Sequence, residues 1–405
     1  MKFLRDLHDQ VAPLFEKGGR FEKLYPLWEA HDTALFTPGE ITRTAPHVRD
    51  GLDLKRMMFT VVIAVLPCLL FAMYNTGYQA QYAIAHGAAP LDDLAMALYQ
   101  GIGFGFDHHN PIYCVVFGAF YFVPVLLAGA LAGAVVEVGG AIIRGHEVNE
   151  GFLVTMVLLP LTLPATIPLW QVMLGMTFGL VFGKEVFGGT GMNFLNPALT
   201  ARAFLFFAYP AFMSGEAPWI AADFEGIDSF SGATWLAQAA VTPGALETAS
   251  FGDAFFGFTS GAMGETSAFC CLLGLALLLY TRVASWQTIA GIVAGTFLIS
   301  SLFGAVGSET NPMFGVPFWW HMVLGGWAFG AVFMATDPVS SAFTAQGKFA
   351  YGLGIGALVI LIRVVNPAYP EGMMLAILFM NMFAPLLDHF VVRGNINRRL
   401  ARSGA

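Results

Sequence analysis

Ile112 to Glu137 reads IYCVVFGAFYFVPVLLAGALAGAVVE, with no charged residue until Glu137 closes the run. Wound as an α-helix at about 1.5 Å per residue, such a stretch covers the roughly 30 Å hydrocarbon core of a bilayer. Gly129 and Gly133, four residues apart, suit close packing against a neighbouring helix. Similar apolar runs lie near 57–74, 152–170, 172–187, 194–213, 267–283, 286–306, 318–336, 349–365 and 371–391. Residues 76–110, with Asp92, Asp93, Asp107, His108 and His109, read as a connector. The composition agrees. Of the 405 residues, 57% are hydrophobic and 11% charged, and the mean hydropathy is +0.67, whereas soluble domains carry about 25% charged residues. The expected fold is an all-α integral membrane protein of about ten transmembrane helices.

The charge distribution sets the organisation. Residues 1–56 hold nine of the nineteen Lys and Arg residues and read as a cytoplasmic N-terminal arm. The basic tail at 392–405 carries Arg393, Arg398, Arg399 and Arg402, so both termini are expected on the cytoplasmic side. Residues 57–213 form a first five-helix half and 265–391 a second. Between them, 214–264 lacks Lys and Arg and is expected to be periplasmic. Arg363, near the outer end of its span, fits this topology poorly. Asn196-Pro197-Ala198 and Asn366-Pro367-Ala368 each introduce a long helix ending in proline, at Pro210 and Pro385. This suggests two five-helix repeats. The net charge of −8 and the lack of a basic, aromatic-studded patch argue against nucleic-acid partners. Cys68, Cys114, Cys270 and Cys271 sit in apolar runs without ligand spacing and read as small buried hydrophobes.

Several motifs fall short. Gly179 to Lys184 has one residue too few between its glycines for a phosphate loop, and Glu185 stands where Ser or Thr would bind magnesium. His146 to Glu150 lacks the second histidine of a zinc protease helix. Gly352, Gly354 and Gly356 do not make a dinucleotide fingerprint. One motif does not fall short. Asp228-Ser229-Phe230-Ser231-Gly232-Ala233-Thr234 resembles the Asp-x-x-Ser-Gly-Ala-Thr acceptor motif on which a flavin transferase places FMN, as a phosphoester of the threonine hydroxyl. That chemistry asks for an accessible loop hydroxyl with little bulk before it. The plain alternative is an ordinary polar turn.

The surroundings of that motif extend the likeness. Phe187 to Leu199, His146 to Gly151, Met334 to Ser340, Val364 to Leu375 and Phe383 to His389 are similar to blocks in the B subunits of bacterial sodium-translocating NADH:quinone oxidoreductases. The resemblance runs over essentially the whole chain and implies a component of the bacterial inner membrane with five partner subunits. It further implies covalent FMN on Thr234, a riboflavin, a ubiquinone site, coupling to sodium export and a flavin transferase for maturation. A related ferredoxin:NAD oxidoreductase complex has a D subunit with the same motif but no long arm.

The resemblance also nominates residues. Riboflavin is expected near Asn193 and Asn196, whose amides can donate and accept; helix capping is the other reading of the same residues. Gly133, Ala134 and Glu137 match the quinone and inhibitor region, with Ala134 where the family has a second glycine. Glu137 is a carboxylate within a span and hence a functional candidate. Trp28, Phe36 and Pro38 of the arm are placed to cover the quinone headgroup or to anchor the arm on the membrane. Asp337 and Asp388, at span ends, can attract sodium as hard oxygen ligands or stand as solvated interfacial groups. A ten-helix channel or transporter without redox chemistry is the third reading, and a bound flavin would separate it from the other two.

Overall fold

The computed structural model describes residues 5–6, 10–26, 28, 54–144, 148, 151–224, 231–366, 369 and 371–403. Asp228, Phe36, Pro38, His146 and the Pro367-Ala368 pair lie outside the described residues. The described residues are helical without a β-strand, apart from an isolated bridge between Ala89 and Asp223. The main helices are α1 (Leu54–Ala85), α2 (Pro111–Arg144), α3 (Gly151–Leu161), α4 (Leu169–Gly183), α5 (Pro197–Ala208), α6 (Ala268–Tyr280), α7 (Trp286–Val306), α8 (Phe318–Val323), α9 (Ala345–Val365) and α10 (Met373–Ser403).

Five of these (Arg56–Ala85 of α1, then α2, α7, α9 and α10) are long and apolar enough to cross a bilayer. The remaining expected spans are shorter or broken, which corrects the reading of those runs as continuous spanning helices. The run 152–170 stops at Leu161, and the chain restarts at Leu169 after Pro164 and Pro168. Its frayed end keeps its backbone paired: Gly264 N donates to Leu161 O at 2.7 Å and Met263 N to Leu163 O at 3.1 Å. The run 318–336 breaks at Leu324-Gly325-Gly326, with Gly325 at φ 64, and resumes as Trp327–Phe329 and a π-helical turn at Gly330–Met334. Irregular backbone at membrane depth is tolerated where protein satisfies it. Arg363 does so here, donating to Leu324 O at 3.0 Å and His321 O at 2.6 Å. Arg363 is fully buried, which explains a cation that fits no loop.

Two further boundaries move. α1 runs beyond residue 74 to Ala85, because its polar residues find partners. Asn75 Nδ2 donates to Thr259 O at 3.0 Å, and Gln81 Nε2 to Tyr99 Oη at 3.2 Å. α10 continues past Pro385 and residue 391 to Ser403, so Pro385 does not end it and the basic tail is helical.

Glycines decide which helices touch. A Cβ on Gly352 would lie 2.2 Å from Thr288 O, and one on Gly356 would lie 2.1 Å from Ile292 O. From the other side, Gly291 and Gly295 would meet Phe349 O at 2.4 Å and Leu353 O at 2.3 Å. α7 and α9 therefore meet backbone to backbone across two small-xxx-small faces. Gly77 of α1 and Gly118 of α2 make the same kind of approach. Gly179 and Gly183 let α4 lie against Pro197 of α5, which is the use of glycines that only faintly suggested a phosphate loop. The four cysteines are buried and free, with Cys68 Sγ and Cys271 Sγ 3.8 Å apart.

Candidate functional site

Thr234 opens the short helix Trp235–Val241 as its N-cap, and its Oγ1 accepts from Ala237 N at 3.3 Å. The residue before it is clamped: Ala233 O accepts from Gln238 Nε2 at 2.9 Å and from Ser260 Oγ at 3.1 Å. Ser231 Oγ accepts from Ala233 N at 3.2 Å. Gly232 is needed for more than slimness, since a Cβ there would lie 2.4 Å from Glu216 O. The hydroxyl of Thr234 is thus held rather than presented. The residue is only 6% exposed, against the expectation of an accessible loop group. A threonine that starts a helix gains by satisfying an orphan N–H, and that gain draws it inward.

Thr234 nevertheless borders space on two sides. One cavity, with about 340 Å³ of open volume, is lined by Thr234, Thr259, Ser260, Glu265, Gly325 and Glu371. A second gap lies between Thr234, Arg202, Phe206, Trp219, Tyr369 and Glu371. Ser231, Ala233 and Trp235 also wall a wider cleft of about 1,220 Å³, where Tyr74, Tyr78 and Tyr82 stack along α1 with ring centroids 6.0 Å apart.

Beneath Thr234 lies a buried set of charges that the sequence reading did not nominate. Arg202 of α5 pairs with Glu265, both under 6% exposed. Arg363 Nε donates to Glu371 O at 3.1 Å, and Glu371 Oε2 accepts from Gly326 N at 3.3 Å. The available signal was a charge inside or beside an apolar run, which marks a functional or structural centre by its cost.

A different cavity gathers several of the nominated residues. Asn193, Asn196 and Asp337 line about 660 Å³ of open volume together with Lys184, Thr190 and the apolar Met58, Val61, Leu158 and Phe333. Asn196 caps α5, its Oδ1 accepting from Ala198 N at 3.0 Å and Leu199 N at 3.3 Å. The capping reading therefore holds, and the same residue still faces the cavity. Asn193 Nδ2 donates to Leu195 O at 3.0 Å. Asp337 Oδ2 accepts from Ser340 Oγ at 2.6 Å. Thr190 Oγ1 is buried with no hydrogen-bond partner.

Glu137 joins this group through its partner. Lys184 Nζ stands 2.5 Å from Glu137 Oε1, and both side chains are buried. Gly133 packs under Phe152, whose Cε2 a Cβ would meet at 2.2 Å. Ala134 is half-buried, and neither it nor Gly133 lines the Asn196 cavity. Asp388 lies elsewhere, on α10, where its side chain reaches the start of α9. Its carboxylate accepts from Phe343 N at 2.7 Å, Thr344 N at 2.9 Å and Thr344 Oγ1 at 2.6 Å. Asp228 is outside the described residues. Among the described residues, no group of three or more His, Cys, Asp or Glu is placed to hold a metal ion.

α6 connects the two regions. Thr266, just before it, lines a Thr234 cavity, and Leu278 lines the Asn196 cavity. Twelve residues at 1.5 Å each separate them by roughly 18 Å along the helix.

Residues 41–397 match the NQR2, RnfD, RnfE family. The B subunit of the Na(+)-translocating NADH-quinone reductase of Pseudomonas aeruginosa (strain PAO1) is 55% identical over 409 residues, covering 99% of this chain and 100% of that one. The protein of that name from Chromohalobacter salexigens is 53% identical over 404 residues, covering 99% and 97%. The Azotobacter vinelandii one is 53% identical over 406 residues, covering 99% of each.

Proposed function

The chain belongs to the NQR2, RnfD, RnfE family, and on that premise we propose that it is the membrane-embedded B subunit of a sodium-translocating NADH:quinone oxidoreductase. The single observation that carries this reading is end-to-end identity of 53–55% with proteins of that name. Five other subunits, ubiquinone and a flavin transferase are its partners. Both termini face the bacterial cytoplasm and the Thr234 segment faces the periplasm.

Thr234 carries FMN through a phosphoester. Support comes from the Ser231-Gly232-Ala233-Thr234 match to the acceptor motif and from Gly232, which no larger residue could replace without displacing Glu216. The transferase must draw Thr234 out of its cap to reach Oγ1. Losing one N–H bond to Ala237 makes this a step of about 1 kcal/mol rather than an unfolding.

A riboflavin occupies the Asn196 cavity. The fit rests on its polar edge against an apolar floor: two asparagines, Lys184 and the orphaned hydroxyl of Thr190 face Leu158 and Phe333. Isoalloxazine has matching donor and acceptor edges on an apolar ring. When bound, flavins supply the electron transfer. The chain's own residues position them, exclude water and set the charge around them. Gly133, Ala134 and Glu137 form part of the quinone site, and Asp337 and Asp388 take part in sodium binding.

The test is co-expression with the transferase, a denaturing gel read for flavin fluorescence, and acid extraction of the native protein. A fluorescent band is expected in wild type and in Thr234→Ser, and none in Thr234→Ala. Riboflavin is expected in the extract of all three. A dark wild-type band, with a control acceptor labelled by the same transferase, refutes the covalent assignment. An extract free of riboflavin refutes the assignment of the Asn196 cavity.

A further inference from the structure

The Asn196 cavity is lined by one cationic side chain, Lys184, and one anionic side chain, Asp337. Lys184 does not stand alone behind that wall. Glu137 of α2 reaches it at 2.5 Å, with side-chain exposures of 4% and 3%. Burying two charges is costly, and replacing such a pair by apolar residues is often neutral or stabilising. The pair is therefore poorly explained by stability alone. A buried ion pair beside a cavity has a second use. Both side chains are almost wholly shielded from water, so each charge acts more strongly on a charge developing beside it than it would in solution.

We propose that Lys184 is the electrostatic positioning residue of the non-covalent flavin, and that Glu137 holds it and tempers its charge. The inference rests on the reading of this cavity as the riboflavin site. An electron entering a neutral ring system makes it an anion until a proton follows from solvent. The electron comes from NADH in the quinone reductase reaction and from dithionite in the test. A lysine ammonium at the cavity wall favours the reduced form. The carboxylate of Glu137, farther back on α2, opposes it. The two partners of one ion pair therefore push the flavin's potential in opposite directions. A merely structural pair would not do this, because breaking it from either end loses the same contact.

The experiment uses the full chain in lipid nanodiscs on a Thr234→Ala background, so that no covalent flavin contributes. Riboflavin is the probe. Its uptake is read by quenching of its fluorescence, and its midpoint potential by dithionite titration in a spectroelectrochemical cell. Lys184→Met should make reduction at least tenfold less favourable, about 59 mV for a one-electron step. Glu137→Gln should move the potential the other way, and Lys184→Arg should stay close to wild type. If Lys184→Met does not assemble, the upward shift in Glu137→Gln still decides the matter. Shifts of the same sign in both variants, or no shift in Glu137→Gln with riboflavin bound, overturn the proposal. A parent chain that takes up no riboflavin overturns the reading of the cavity itself, and the proposal with it.

Discussion

Gly356→Ala adds one methyl group where the structure leaves none of the room it needs. The new Cβ would sit 2.1 Å from Ile292 O and 2.7 Å from Thr296 N, both of them backbone atoms of α7. An ordinary carbon–oxygen contact is about 3.3 Å or longer, so the two helices must separate locally by more than 1 Å. Backbone cannot swing aside as a side chain can. The cost therefore belongs at the upper end of the 1–3 kcal/mol typical of overpacking, or beyond it. The displacement also travels. Arg363 lies seven residues along α9, where it satisfies the broken backbone at His321 and Leu324. Gly394→Ala is the matched control, because nothing lies within 4 Å of its Cβ and it is exposed on a helix. There alanine should be neutral or stabilising by up to about 1 kcal/mol. The assay is thermal unfolding of the detergent-solubilised chain. Gly356→Ala should lower Tm by several degrees, with Gly394→Ala unchanged or higher. Equal Tm values for the two variants would refute the backbone contact between α7 and α9.

Four further outcomes are expected. Thr234→Ala should lose all covalent flavin while Tm falls only as a lost N-cap dictates, about 1 kcal/mol. A collapse of the fold in that variant would instead make Thr234 a structural residue. Arg202→Met leaves Glu265 buried without its partner and should cost about 3–5 kcal/mol, much of it recovered by adding Glu265→Gln; a double-mutant cycle measures the recovery. Asp388→Asn should raise the sodium concentration for half-maximal quinone reduction and also lower Tm, since the carboxylate accepts three hydrogen bonds at the start of α9. An unchanged sodium dependence would leave Asp388 as a cap alone. Gly232→Ala should reduce flavinylation on the gel, because its Cβ collides with Glu216 O; full labelling would show that the segment has room to spare.

What was legible in the sequence follows the range of the forces involved. Apolar runs report local solvent, so the membrane character and all five long helices could be read directly. Asn196 could be read too, because a capping residue acts within three residues of itself. The breaks at Leu161–Leu169 and Leu324–Gly326 were marked only by Pro164, Pro168 and the Gly325-Gly326 pair, which hydropathy passes over. An apolar stretch has the same hydropathy whether its backbone is helical or unwound, and what permits unwinding is a distant partner. Arg363 supplies that partner for one break and Gly264 for the other. Likewise, Arg202 is 63 residues from Glu265 and Glu137 is 47 from Lys184. Neither pairing has a local signature. Glu137 was singled out as a charge in a span, whereas its partner surfaced only within a motif rejected for another chemistry. The threonine motif was legible as a string of residues, but its burial depended on a helix that begins at the motif's last residue.

The interrupted helices also bear on voltage. The two cavities proposed above to hold flavins are joined by α6, roughly 18 Å apart along its axis, while the hydrocarbon core is about 30 Å thick. If that axis runs along the bilayer normal, an electron passing between them crosses about six-tenths of the insulating layer. Moving a full charge through the whole layer is worth about 2.3 kcal/mol per 100 mV, so this passage carries roughly 1.4 kcal/mol per 100 mV. That is a tenfold bias in its equilibrium for every 100 mV of membrane potential. On the proposed flavin placement, the short helices set how much of the membrane field is felt by the electron itself, before any ion moves.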